Sequence, residues 1–109
     1  MTAQRICPVD ELVVNQARRV VLDGRPIALV RDGADVVHAI GDTCTHGDIS
    51  LSEGFVEGDS LECWAHGSQF SLLTGKPKTL PAYEPVPVYV VEIIDGDIYI
   101  DPTLTKEIS

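Results

Sequence analysis

Positive charge is scarce in this sequence. Eight lysines and arginines stand against seventeen aspartates and glutamates, for a formal net charge of −9. That balance excludes nucleic acid as a partner, because such binding depends on Lys and Arg neutralising phosphates. It argues equally against anionic membrane surfaces. Aromatics are few, at 6%, so a core must come from Val, Ile, Leu and Ala. No stretch approaches the ~18 apolar residues of a membrane span, and Met1–Leu12 holds no apolar run suited to a signal peptide. The three cysteines, Cys7, Cys44 and Cys63, are an odd number and fit poorly with a disulfide-framed secreted domain. A cytoplasmic, reduced protein is expected, where neighbouring cysteines usually mean metal or catalysis.

What is present suits one small globular domain. The chain has 109 residues, 44% of them hydrophobic and 23% charged. Turn signals recur as Asp23-Gly24, Asp32-Gly33, Glu53-Gly54, Glu57-Gly58 and Asp95-Gly96, where Gly supplies the positive φ of tight hairpins. Between them lie short β-branched runs at Arg19–Leu22, Pro26–Arg31, Asp35–Ile40, Ser60–Cys63, Gln69–Leu72, Val86–Ile94 and Asp97–Asp101. A 3.6-residue period is absent, apart from one turn at Pro8–Val13. The pattern predicts an all-β antiparallel sandwich or barrel. Val86–Ile94, apolar on both faces apart from Glu92, reads as a central strand covered on both sides. Two stretches break the strand pattern: Gly41–Glu53, and Lys76–Pro87 with four prolines. Long loops on a β scaffold are where function concentrates.

The first of these stretches opens a metal-ligand pattern. Cys44-Thr45-His46 is followed, after sixteen residues, by Cys63-Trp64-Ala65-His66. Iron and zinc both accept mixed thiolate and imidazole ligation. Zinc modules usually leave two or more residues between paired ligands. A Cys-x-His pair suits a larger, binuclear cluster whose two irons are reached from one loop.

Cys-x-His…Cys-x-x-His resembles the signature of the Rieske family, in which His replaces Cys on one iron. His66-Gly67-Ser68-Gln69-Phe70 resembles the family's second loop, and the proline-rich stretch around Pro81 its third. The resemblance spans essentially the whole chain and is greatest to the Rieske ferredoxins of ring-hydroxylating dioxygenases. The respiratory branch differs: it carries a bridged cysteine pair where this chain has Ile49 and Ala65, and a membrane anchor.

The resemblance implies a Rieske fold over 1–109, with an antiparallel base and a cluster-binding subdomain at about 41–82. It implies one [2Fe–2S] cluster, with Cys44 and Cys63 on the inner iron and His46 and His66 on the outer one. Two thiolates and two neutral imidazoles leave less negative charge than four thiolates, so the cluster is easier to reduce. A closed ligand set points to one-electron transfer, with no catalytic residue in this chain. The implied partners are an NAD(P)H-dependent flavin reductase and a terminal aromatic-ring oxygenase, and the implied state is a monomer. Two alternatives stand beside this reading: a fixed small subunit of another redox enzyme, like the nitrite-reductase small subunits, and a zinc-stabilised interaction module.

Other residues are assigned by elimination or by the resemblance. Cys7, without a neighbouring His or Cys, is expected to be a packed thiol, and His38 a strand residue. Gly47 and Gly67 are expected to turn the backbone after each histidine. Ser68 either shapes its turn or donates to cluster sulfur. Trp64 either covers the cluster or forms a docking surface. Asp42, Asp48, Glu53 and Glu62 either form a solvated face or guide a partner. Phe70, where high-potential relatives carry Tyr, implies a potential at the low end of the Rieske range, about −150 mV.

Overall fold

Repeated Asp-Gly and Glu-Gly pairs cut the chain into short antiparallel strands. The computed structural model describes residues 3–43, 50–64, 67–78 and 85–105. Nine strands lie among them: β1 Gln4–Pro8, β2 Gln16–Leu22, β3 Arg25–Arg31, β4 Val37–Gly41, β5 Phe55–Glu57, β6 Ser60–Glu62, β7 Gln69–Ser71, β8 Val88–Ile94 and β9 Asp97–Thr105. The larger sheet has six strands in the order β1-β9-β8-β4-β3-β2, and the smaller has three, β5-β6-β7. All named pairings are antiparallel. The fold is the expected all-β one, an open curled sheet carrying a small second sheet. No helix of the described residues is long and apolar enough to cross a membrane.

Two hairpins form where the sequence marks them. Asp23 and Gly24 both adopt positive φ (51° and 77°), as do Asp95 and Gly96 (51° and 80°). Two consecutive left-handed residues make the tight turn whose twist matches its strands. They join β2 to β3 and β8 to β9.

The larger sheet separates two apolar clusters. On β3, Ala28 and Val30 face a cluster with Ile40, Leu51, Leu61, Cys63, Phe70, Leu72, Val86 and Val88. Ile27 and Leu29 face the other, with Cys7, Leu12, Leu22, Ala39, Tyr89, Ile98 and Ile100. The strands covered on both faces are therefore β3 and β4, whose residues Ile27–Val30 and Ala39–Ile40 are fully buried. This corrects the assignment of that role to Val86–Ile94. Only the start of β8 is enclosed, at Val88 and Tyr89, while Ile93 and Ile94 are each 48% exposed. β8 lies centrally in the strand order, but its far end projects with the β8–β9 hairpin beyond the covering layer.

Other differences are local. The turn expected at Pro8–Val13 is a 3₁₀ helix over Val9–Glu11. β1 and β5 were not marked by the strand pattern. Cys7 is buried on β1, and burial pushes its thiol pKa up. His38 is buried on β4, as a strand residue, and its Nε2 lies 2.7 Å from Asp32 Oδ2. Asp32 Oδ1 also accepts the backbone N–H groups of Ala34 and Val36 at 2.9 and 3.0 Å. The His38 hydrogen bond, assisted by these backbone donors, holds the Asp32 carboxyl below its ordinary pKa.

Candidate metal centre

Of the four expected ligands, Cys63 lies in the described structure; Cys44, His46 and His66 fall outside it, as do Gly47, Asp48, Ile49, Ala65 and Pro81. Cys63 follows β6 directly and is fully buried in the apolar cluster beneath the small sheet. Its backbone closes the second loop from both sides. Cys63 N–H donates to the Ser68 carbonyl at 2.8 Å, and Gly67 N–H donates to the Cys63 carbonyl at 2.9 Å. Gly67 sits at φ +75°, with open space where a Cβ would stand. Backbone conformation therefore requires glycine there, as expected. Ser68 is fully buried beside it. A thiol withheld from water, at the mouth of a loop closed on itself, suits an inner ligand of a metal cluster. Trp64, next in the chain, is 52% exposed.

The feet of the first loop are tied by a residue that the sequence reading left on the surface. Asp42 is 2% exposed, which corrects its assignment to a solvated or docking face. Its carboxylate accepts Ser52 N–H at 2.8 Å, Arg19 Nε at 3.1 Å and the Ser50 hydroxyl. Its own carbonyl accepts Leu51 N–H, and Thr43 bridges to Ser50 in antiparallel register. Residues 43 and 50 are thereby held side by side, one on each flank of the segment 44–49. No spacing rule pointed to this, because the partners come from β2 and from the far side of the loop.

A second tie joins Gly75 to Val86, at either end of the proline-rich stretch. Val86 N–H donates to the Gly75 carbonyl at 2.9 Å. A Cβ on Gly75, which sits at φ +71°, would lie 2.1 Å from the Val86 carbonyl oxygen. Only glycine permits that approach. The strand register continues it: Glu62 pairs with Gln69, whose Nε2 donates to the Glu62 carboxylate at 3.1 Å. Lys78 Nζ reaches Asp59 Oδ1 at 2.8 Å and the Ser60 hydroxyl at 2.6 Å. The Lys78 ammonium draws the Asp59 carboxyl below its usual range. Glu62 is thus half-buried and engaged across the sheet, while Glu53 is exposed.

Comparison with known proteins agrees with this architecture. Residues 2–90 match the model of the Rieske [2Fe-2S] domain. The ferredoxin CarAc of Metapseudomonas resinovorans is 40% identical over 97 residues, covering 88% of this chain and 90% of the relative. The 3-phenylpropionate/cinnamic acid dioxygenase ferredoxin subunit of Escherichia coli K12 is 40% identical over 96 residues, covering 87% and 89%. A solved complex of reduced oxygenase and oxidized ferredoxin in carbazole 1,9a-dioxygenase contains a similar chain. It has 39% identity, a TM-score of 0.84, and coverage of 90% of this chain and 91% of that one. With an all-β fold of an open curled sheet and a small second one, a buried Cys63 at the mouth of a closed loop, and this similarity over most of its length, the chain belongs to the Rieske [2Fe–2S] ferredoxin family, whose members are electron carriers with one such cluster per chain.

Proposed function

We propose that this chain takes single electrons from an NAD(P)H-dependent flavin reductase and delivers them to a terminal oxygenase acting on aromatic rings. In this reading it works in the cytoplasm as a free monomer. Cys44 and Cys63 hold the inner iron of the cluster, and His46 and His66 hold the outer one. When bound, the cluster supplies a one-electron couple and offers no open position to substrate. The protein withholds Cys63 from water, closes the Cys63–Ser68 loop with two backbone hydrogen bonds, and ties the feet of the other loop through Asp42. Similarity over nine-tenths of both chains to a ferredoxin solved with its oxygenase is the observation that carries the assignment.

The test is stopped-flow mixing of the anaerobically reduced chain with the oxygenase. The visible absorbance should recover at least as fast as steady-state turnover. No reoxidation would refute the carrier assignment, and stoichiometric co-purification with a larger enzyme would replace it with a fixed subunit. Purified protein should hold two irons and two sulfides; Cys63→Ser should lose them and Cys7→Ser should not. A colourless zinc protein would overturn the cluster assignment.

A further inference from the structure

The seam between the edge strands β2 and β5 carries an apolar surface that the cluster chemistry does not use. Phe55 is 61% exposed there, and Val13 (59%) and Val14 (39%) are exposed in the segment that leads into β2. Beside them runs a groove of about 380 Å³, walled by Asn15, Gln16 and Ala17 on one side and Gly54, Phe55 and Val56 on the other. A second groove of about 220 Å³ continues it past Val13 and Leu12.

Phe55 is held outward by its backbone. A Cβ on Gly54 would lie 1.8 Å from the Glu62 carbonyl oxygen, so β5 closes on β6 more tightly than any other residue would allow. Val56 then packs against the core edge, while Phe55 and Glu57, two residues apart on one strand face, point away from it. An aromatic side chain has only two rotatable bonds to order on binding.

The unpaired charge beside the ring is negative. Nearby cations are already committed: Arg18 to Glu11 at 3.5 Å, Arg19 to Asp42 at 3.1 Å and Lys78 to Asp59 at 2.8 Å. Glu53 and Glu57 flank Phe55, are exposed, and have no ion-pair partner among the described residues. An apolar anchor inside a polar rim is the usual anatomy of a protein interface.

We propose that this face seats a redox partner protein, one that presents an apolar side chain within a collar of lysines and arginines. The proposal rests on the carrier reading and adds a docking surface to it. Phe55 stands opposite Glu62 in the β5–β6 register, and Glu62 adjoins Cys63. A partner seated on Phe55 is therefore placed beside the strand that enters the metal centre. Phe55 supplies the anchor and the two glutamates select the basic collar.

The test measures both half-reactions with the cluster-loaded chain: reduction by the flavin reductase and reoxidation by the oxygenase. Phe55→Ser should raise the half-saturating carrier concentration roughly tenfold or more in one half-reaction, the effect of losing a central anchor. Its maximal rate and visible spectrum should stay unchanged, and Phe55→Trp should restore affinity. The double variant Glu53→Gln/Glu57→Gln, which leaves the ring in place, should raise the same concentration at low salt and converge with wild type at high salt. If both half-saturation values stay within twofold of wild type in both variants, the face is not a docking surface. A wild-type chain idle with both proteins overturns the carrier assignment and this face with it. An active wild type with an unmoved Phe55→Ser overturns the face alone.

Discussion

Replacing Asp42 with alanine should release the first loop from its scaffold. The carboxylate serves three donors, and their fates differ. Ser50 and Ser52 hydroxyls lie 2.8 Å apart, so the Ser50 hydroxyl keeps a partner. Arg19 is 54% exposed along its side chain and turns to water. Its ion pair therefore contributes little, about 0–1 kcal/mol. Ser52 N–H is part-buried and loses its acceptor, and an orphaned donor costs up to about 1–3 kcal/mol. With the space left by the carboxylate, Asp42→Ala should weaken the closed loop by about 2–4 kcal/mol. Where opening is fast and cluster loss follows it, 1.4 kcal/mol corresponds to about tenfold in rate. Bleaching of the visible absorbance in fixed, sub-denaturing urea with an iron chelator should therefore accelerate by more than tenfold. Asp42→Asn keeps one oxygen for Ser52 N–H but turns an amide toward Arg19, so it should fall between. Arg19→Gln should change the rate by a few-fold at most. Bleaching of Asp42→Ala within twofold of wild type would refute the account of the clamp.

The Asp32–His38 pair should make stability fall in acid. Asp32's folded pKa is depressed, so the pair's stabilisation is complete above the unfolded value near ~3.9 and disappears as pH drops through the folded one. Thermal midpoints of wild type and Asp32→Asn should differ at pH 6 and converge toward pH 2–3; a constant gap would contradict this. Glycine substitutions should separate backbone strain from collision. Gly24→Ala, at φ +77° with open space around it, should cost about 1–2 kcal/mol. Gly54→Ala, at φ −88° but 1.8 Å from a carbonyl oxygen, should cost more by urea titration, and Gly75→Ala should suffer from both effects. A Gly54→Ala variant no worse than Gly24→Ala would mean that β5 does not need its close approach to β6.

How far the sequence speaks depends on whether the deciding interaction is local. Asp23-Gly24 and Asp95-Gly96 were legible because two consecutive positive φ values restrict residue type at the turn itself. The runs within β2, β3 and β9 were legible because β-branched residues concentrate between those turns. β1 was hidden because Gln4–Pro8 owes its conformation to pairing with β9, some ninety positions away in the chain. β5 is three residues long, too short for any period to register. β8 reads as apolar throughout, yet whether Ile93 and Ile94 are covered depends on where the second layer stops. At the metal centre, the paired Cys and His offsets carried the family, and Gly67 its turn. Asp42 was misjudged because a carboxylate among loop residues looks solvated until Arg19, Ser50 and Ser52 are brought to it.

Two cores divided by one sheet have a consequence for the life of the cofactor. Cys63 belongs to the cluster beneath the three short strands, while Cys7, Leu29 and Ile98 belong to the other. Units of such different extent open at different free energies. If the small layer opens first, the curled sheet keeps its hairpins and its inner packing. Iron and sulfide can then enter or leave a chain that is already folded.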